Sequence, residues 1–211
     1  MTAIQETVME QDEQLLYYQL FWHYYRGDLH QLTSIQWKQL AQLLKDSHIL
    51  ALNDEIDKAL KLLGNADVTA IQTFQYEYNR LFVGPNQLLA SPFESSYRNY
   101  EGTVLQRETL NVRNFYHYAG LQVAQEGQFP DDHIQFELEF VLHVLSDPTM
   151  QDNRQIYKMF LEKHLLQWVF KHCERIVQNS QHPITNSMAG LLKEFLQLEQ
   201  KRIEGGDQDV N

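Results

Sequence analysis

A single cysteine, Cys173, stands in 211 residues. One thiol excludes a disulfide within the chain and any cysteine-only metal cluster, and it fits a reducing compartment. Cys173 itself reads as a small apolar filler rather than a reactive thiol. Basic residues are the next scarcity: 17 Lys and Arg face 28 Asp and Glu, for a net charge of -11. Nucleic-acid affinity rests largely on basic side chains that release counterions, so this balance argues against a phosphate-backbone partner and favours a basic peptide. No stretch reaches the ~20 apolar residues of a membrane span. The start, MTAIQETVMEQDEQ, has neither a positively charged opening nor an apolar signal core, so a cytoplasmic protein without stable membrane insertion is expected.

The motifs that mark common enzymes are missing too. GxxxxGK[ST] and GxGxxG are absent, so neither a P-loop nor a Rossmann nucleotide site is indicated. GxSxG is absent, so a nucleophile elbow is not indicated. There is no internal repeat and no low-complexity tract.

What remains is 43% hydrophobic residues, globular in kind, with 12% aromatics, enough to suggest that some rings line a groove. Helical spacing of apolar residues recurs from end to end, so the fold class is all-α, a single compact multi-helix bundle over residues 1–203 with a mobile tail at 204–211. The segment DEQLLYYQLFWHYYRGD carries rings or aliphatics at nearly every helical angle, as a helix in the middle of a bundle would. Thr33 and Gln36 can form a capping box, and DEIDKALKLLG stops at Gly64 as a left-handed C-terminal cap would. A fourth helix carries Ile71, Phe74, Tyr78, Leu81 and Phe82 on one stripe and ends before Gly84-Pro85.

Residues 83–102, VGPNQLLASPFESSYRNYEG, read as a long functional loop, packed rather than floppy because it holds Leu88, Leu89, Phe93, Tyr97 and Tyr100. Helical spacing resumes at Val104, Leu105, Val112, Phe115 and Tyr116, stops at Gly120 and starts again after Pro130. Two further helical stretches, RQIYKMFLEKHLLQWVFKHCERIV and ITNSMAGLLKEFLQLEQKRI, complete the chain.

PDDHIQFELEFVLHVL, residues 130–145, places two carboxylates and a histidine before an apolar run. Asp131 or Asp132 can accept from the free amides of the helix they precede. Ile134, Leu138, Val141 and Leu145 form its buried stripe; His133 and Glu137 lie one turn apart on the flank, with Glu139 nearly opposite. A half-exposed His–Glu contact is one reading. A metal-dependent hydrolase using His133 and Glu137 is another; its third ligand would come from His117, His143 or Glu94. Ser95 and Ser96 in the loop are a further candidate nucleophile, without an assigned base. His23 and His164, isolated on helices, read as structural.

Five segments carry a resemblance. YNRLFVGP (78–85), SPFESSY (91–97), LNVRNFYHYAGL (110–121), PDDHIQFELEF (130–140) and FLEKHLLQW (160–168) resemble, in this order and spacing, segments of the TorD/DmsD family of redox-enzyme maturation chaperones, related to NarJ. Two positions depart from the family pattern: Ser91 stands where proline is common, and Asp131-Asp132 doubles the acid before the histidine. The resemblance implies an all-helical cytoplasmic chaperone, not an enzyme, whose partner is a molybdopterin oxidoreductase precursor held through its twin-arginine signal peptide, its body, or both. It implies a peptide-binding region made of Gly84, Pro85, Pro92, Glu94 and Ser95 with Asp132, His133 and Glu137. It also implies a monomer or domain-swapped dimer and no required cofactor, with weak GTP binding that no phosphate-cradling motif here supports. A twin-arginine signal presents two guanidinium forks and an apolar segment. Glu94, Asp132 and Glu137 can meet the first, and Tyr78, Phe82, Phe93 and Tyr97 the second.

Overall fold

A computed structural model of the chain describes residues 3–47, 54–85, 88–99, 104, 107–124, 126–148, 150 and 153–205. Tyr100, Leu105 and residues 206–211 of the expected tail lie outside the described residues. Helices are the only named elements among the described residues, as the spacing of apolar residues requires. In chain order the helices are α1 (Ala3–Tyr25), α2 (Ser34–Asp46), α3 (Asp54–Gly64), α4 (Val68–Tyr78), α5 (Ser95–Arg98), α6 (Arg107–Tyr118), α7 (Ile134–Ser146), α8 (Asn153–Lys163), α9 (Val169–Asn179) and α10 (Pro183–Gly205). Short 3₁₀ turns cover Leu29–Gln31 and Leu165–Gln167, and a π-helical turn, Asn79–Val83, extends α4.

The chain divides into two compact units, Met1–Ala90 with Cys173–Gln197, and Ser91–His172 with Leu198–Asn211. In the first unit, α1 begins nine residues earlier than the apolar pattern alone places it, at Ala3 rather than Asp12. Its Tyr17, Tyr18, Phe21, Tyr24 and Tyr25 are all buried. Tyr17 stacks on Phe195 at 5.2 Å between centroids and Tyr18 meets the same ring edge-on at 4.9 Å. Tyr24 stacks on Phe74 at 5.7 Å, and Trp37 meets Phe74 edge-on. Rings of this size bury the largest area per residue available to the chain, which is why an aromatic-rich α1 centres its unit.

Local signals set several boundaries. The Thr33 hydroxyl accepts from the Gln36 amide at 3.3 Å and the Gln36 side chain accepts from the Thr33 amide at 2.9 Å, which is the capping box expected. Gly120 has φ 76° and ends α6, its N–H reaching the His117 carbonyl at 3.0 Å. Gly64 corrects an expectation: it is not in the left-handed region. A Cβ at Gly64 would lie 3.3 Å from the Ala41 Cβ, so this glycine serves the close approach of α3 to α2.

The fourth helix does end before Gly84-Pro85, through the π-helical turn, where the Gly84 N–H donates to the Asn79 carbonyl at 2.9 Å. The loop that follows contains α5, a single turn the sequence pattern does not announce.

In the second unit α5 packs on α6 and α7 on α8. Phe115, Tyr116, Phe140 and Phe160 form the aromatic centre, with Phe140 and Phe160 4.5 Å apart. The stretch read as one helix from Arg154 to Val177 is two. His164 (φ -125°, ψ -90°) and Trp168 (φ -139°) leave helical geometry, and no glycine or proline signals the break. Both side chains gain buried partners by it.

Candidate functional site

Two segments of the second unit meet as a short antiparallel bridge, Phe93 opposite His133. The Glu94 N–H donates to the Asp132 carbonyl at 3.0 Å, and the Ile134 N–H to the Pro92 carbonyl at 2.9 Å. This pairing draws Pro92, Phe93, Glu94 and Ser95 beside Asp132 and His133. All six are buried.

The two aspartates do not cap the helix they precede, contrary to the sequence expectation. The Asp132 carboxylate accepts from the Ser95 N–H at 2.8 Å, capping α5, and from the Thr109 hydroxyl at 2.8 Å. Burial pushes its pKa up, and the Ser95 and Thr109 hydrogen bonds oppose that rise. Asp131 takes Arg113 of α6, and its own carbonyl accepts from the Tyr116 hydroxyl at 3.2 Å. The cap of α7 is His133, whose Nδ1 accepts from the Gln135 N–H at 3.1 Å. A ring nitrogen that accepts cannot carry a proton, and burial alone lowers the His133 pKa to about 3.

Glu94 is fully buried and bonded on both oxygens, by the Arg98 guanidinium one turn later and by His164 Nδ1 at 3.0 Å. Arg98 also donates to the Lys163 carbonyl at 2.8 Å. Glu137 is fully buried as well. Its Oε2 accepts from the Trp168 indole at 3.2 Å, and its Oε1 has no partner among the described residues. Burial, then the charge of Glu94, raises its pKa well above the ordinary value, which favours the protonated form of Glu137 in the folded chain. Tyr97 pairs its hydroxyl with His172 Nδ1 at 2.9 Å and lays its ring against Trp168.

The cluster is therefore built of two acid–guanidinium pairs, a hydrogen-bonded Asp132 and a Glu137 held by the Trp168 indole. The half-exposed His133–Glu137 contact expected from helical spacing is not formed: both residues are buried, each with another partner. For a metal-dependent hydrolase, His133 would have to give up its capping role, and among the described residues no three His, Cys, Asp or Glu are placed to hold a metal ion. The serine alternative lacks a base, since the Ser96 hydroxyl is bonded to that of Ser91 at 2.7 Å and Ser95 Oγ has no partner among the described residues.

At the edge of the cluster the rings of Phe93 and Phe136 each meet those of Phe129 and His133, which also meet each other, with centroids 4.9 to 6.1 Å apart. Phe129 is 44% exposed and Phe136 partly so, the open side of this aromatic face.

Tyr78, Phe82, Gly84 and Pro85 belong to the first unit. Tyr78 is buried with its hydroxyl on the Tyr25 carbonyl at 2.6 Å, Phe82 packs against Tyr24, Tyr25 and Tyr78, and Pro85 is exposed. Sequence reasoning missed Arg98, Thr109, Arg113, Trp168, Phe129 and Phe136 as parts of the cluster, and took His164 for an isolated helical histidine. Arg98 had a readable signal, its i+4 spacing from Glu94. Phe129 and Phe136 also lie within one turn's spacing of His133, whereas Thr109, Arg113 and Trp168 lie too far along the chain from their partners for any spacing rule.

Comparison with known proteins agrees with the motif-bearing segments. The family described as nitrate reductase delta subunit matches residues 36–174. Over 111 residues the chain is 29% identical to the probable Tat proofreading chaperone DmsD of Haemophilus influenzae, covering 51% of each protein. Over 164 residues it is 24% identical to the chaperone protein TorD of Aliivibrio fischeri, covering 74% of each. The chain thus spans about half of the first relative and about three quarters of the second. The matched range takes in the bridge, its acids and the aromatic face, and the chain belongs to the nitrate reductase delta subunit family as a TorD/DmsD-type member.

Proposed function

We propose that this chain is a cytoplasmic chaperone that binds the twin-arginine signal peptide, the body, or both, of a molybdopterin oxidoreductase precursor, assisting cofactor insertion and holding the client before export. On this reading it is a binding protein with no catalytic step and no required cofactor of its own. The observation that carries the reading is the convergence of the family segments 91–97 and 130–140 into one acid-bearing frame with an aromatic face at its edge.

Pro92, Phe93, Glu94, Ser95, Tyr97, Asp132, His133 and Glu137 form the frame. Most are buried and bonded to one another, so their work is to fix the shape and charge of the edge, where Phe129 and Phe136 offer apolar contact to the signal's helix-prone segment. Tyr78, Phe82, Gly84 and Pro85 stay outside this reading. A net charge of -11 favours encounter with an arginine-bearing peptide.

Hydrogen–deuterium exchange of the full chain with a synthetic twin-arginine signal peptide tests this. Slowed exchange in 91–99 and 126–138 supports the reading. Protection confined to other segments, or none at saturating peptide, contradicts it.

A further inference from the structure

Asp131 is the acid that the family pattern leaves without a role. The resembling segment has one aspartate before its histidine, and this chain has two. The Asp131 side chain is fully buried, while the Arg113 side chain that meets it is 24% exposed. Arg113 brings Nε to 3.0 Å and Nη2 to 2.5 Å, both onto Asp131 Oδ2. A guanidinium fork satisfies a carboxylate best with one arm to each oxygen. Here both arms share one oxygen, and Oδ1 is buried with no partner among the described residues. A buried carboxylate oxygen left without a donor is unfavourable, and a second guanidinium would relieve it.

Arg113 also has somewhere to go. Its Nε lies 3.9 Å from Glu126 Oε1, on a side chain 22% exposed. Glu126 Oε2 is held by His117 Nε2 at 2.6 Å, which leaves Oε1 facing Arg113. Asp131 and Glu126 therefore share one guanidinium between two carboxylates.

We propose that Asp131 is a guanidinium-acceptor site and that Arg113 is its internal stand-in. An arginine of the client peptide takes Asp131, Arg113 swings onto Glu126, and each carboxylate then has its own guanidinium. This rests on the reading of the chain as an arginine-peptide chaperone, which it supplies with a specific contact and a built-in competitor. Lysine cannot substitute well, because a single ammonium does not span both oxygens of a carboxylate.

Two measurements on the full chain test it together. In the first, the Arg113 Nε–H resonance, assigned by its loss in Arg113→Lys, is followed while arginyl-arginine amide is added, with lysyl-lysine amide as the control. A saturable shift with the arginine probe, absent in Asp131→Asn, supports the acceptor site. In the second, a twin-arginine signal peptide is titrated calorimetrically into wild type, Arg113→Ala and Asp131→Asn, each checked for folding by circular dichroism. Arg113→Ala should bind about tenfold tighter, as for an acceptor otherwise open a tenth of the time. Asp131→Asn should lose the preference for arginine over lysine in the peptide.

A shift with the dipeptide but no binding of any signal peptide keeps the acceptor site and overturns the chaperone reading. Signal-peptide binding that Arg113→Ala does not strengthen, with an unmoved Arg113 resonance, overturns the stand-in and leaves the chaperone reading intact. If Arg113→Ala fails to fold, the wild-type resonance and the near-isosteric Asp131→Asn decide the matter.

Discussion

The Ser95 N–H donates to the Asp132 carboxylate at 2.8 Å, so an acid 37 residues away caps the single turn of helix inside the long loop. A four-residue helix has no stability of its own, and this bond together with the Thr109 hydroxyl fixes where the loop lies. Asp132→Ala leaves the Ser95 amide buried without its acceptor. We expect a loss of about 1–3 kcal/mol in urea unfolding and faster hydrogen exchange at Ser95. An unchanged Ser95 protection factor would show that the cap is not what holds the turn.

Arg98 covers the buried Glu94 carboxylate, with His164 on its other oxygen. Removing one partner of a buried pair leaves an uncompensated charge. Arg98→Ala should therefore cost about 3 kcal/mol. Adding Glu94→Gln to it should recover part of the loss, because the neutral amide no longer needs the guanidinium. A double variant as unstable as the single one would count against the pair.

Glu137 makes the protein less stable as pH rises. Its folded pKa is raised well above 4.5, so between 4.5 and that raised value the folded chain holds a proton that the unfolded chain releases. The stabilising contribution is complete below 4.5 and is lost as pH climbs through the folded pKa, at up to ~1.4 kcal/mol per pH unit. Glu137→Gln keeps an acceptor for Trp168 and removes the titration. Unfolding free energies measured from pH 5 to 9 should fall more steeply for wild type than for the variant.

His133 acts in the opposite sense. Its pKa drops from 6.5 to about 3 on folding, so its contribution is present above 6.5 and is lost as pH falls from there toward 3. His133→Asn retains a capping acceptor without the titrating ring. The variant should be less sensitive to acid than wild type across that window. Parallel stability curves for the two proteins would contradict the neutral, capping imidazole.

Much of the fold could be read from residues close to one another in sequence. The Thr33–Gln36 capping box, the stop at Gly84-Pro85 and the end at Gly120 each depend on a few adjacent residues, and each forms as the local chemistry dictates. Gly64 was misread because a glycine at a helix end has two uses, and only the neighbour Ala41 tells which applies.

The site was legible as a list of positions and not as a set of bonds. Asp131 and Asp132 looked like caps of α7 because they precede it. Their partners Arg113, Thr109 and Ser95 lie 18, 23 and 37 residues away. Once the His133 ring takes the cap, the aspartates are free to make those long-range bonds. The break at His164 to Trp168 left no trace for the same reason: its compensation comes from Glu94 and Glu137, 70 and 31 residues off.

The most direct test of the central claim is calorimetric titration of the purified full chain with synthetic twin-arginine signal peptides, each paired with a version whose two arginines are alanines. Saturable binding that collapses when the arginine pair is removed, and weakens in a folded Glu94→Ala, Asp132→Ala double variant, is what this account predicts. Binding that ignores the arginine pair and the double variant alike would contradict it.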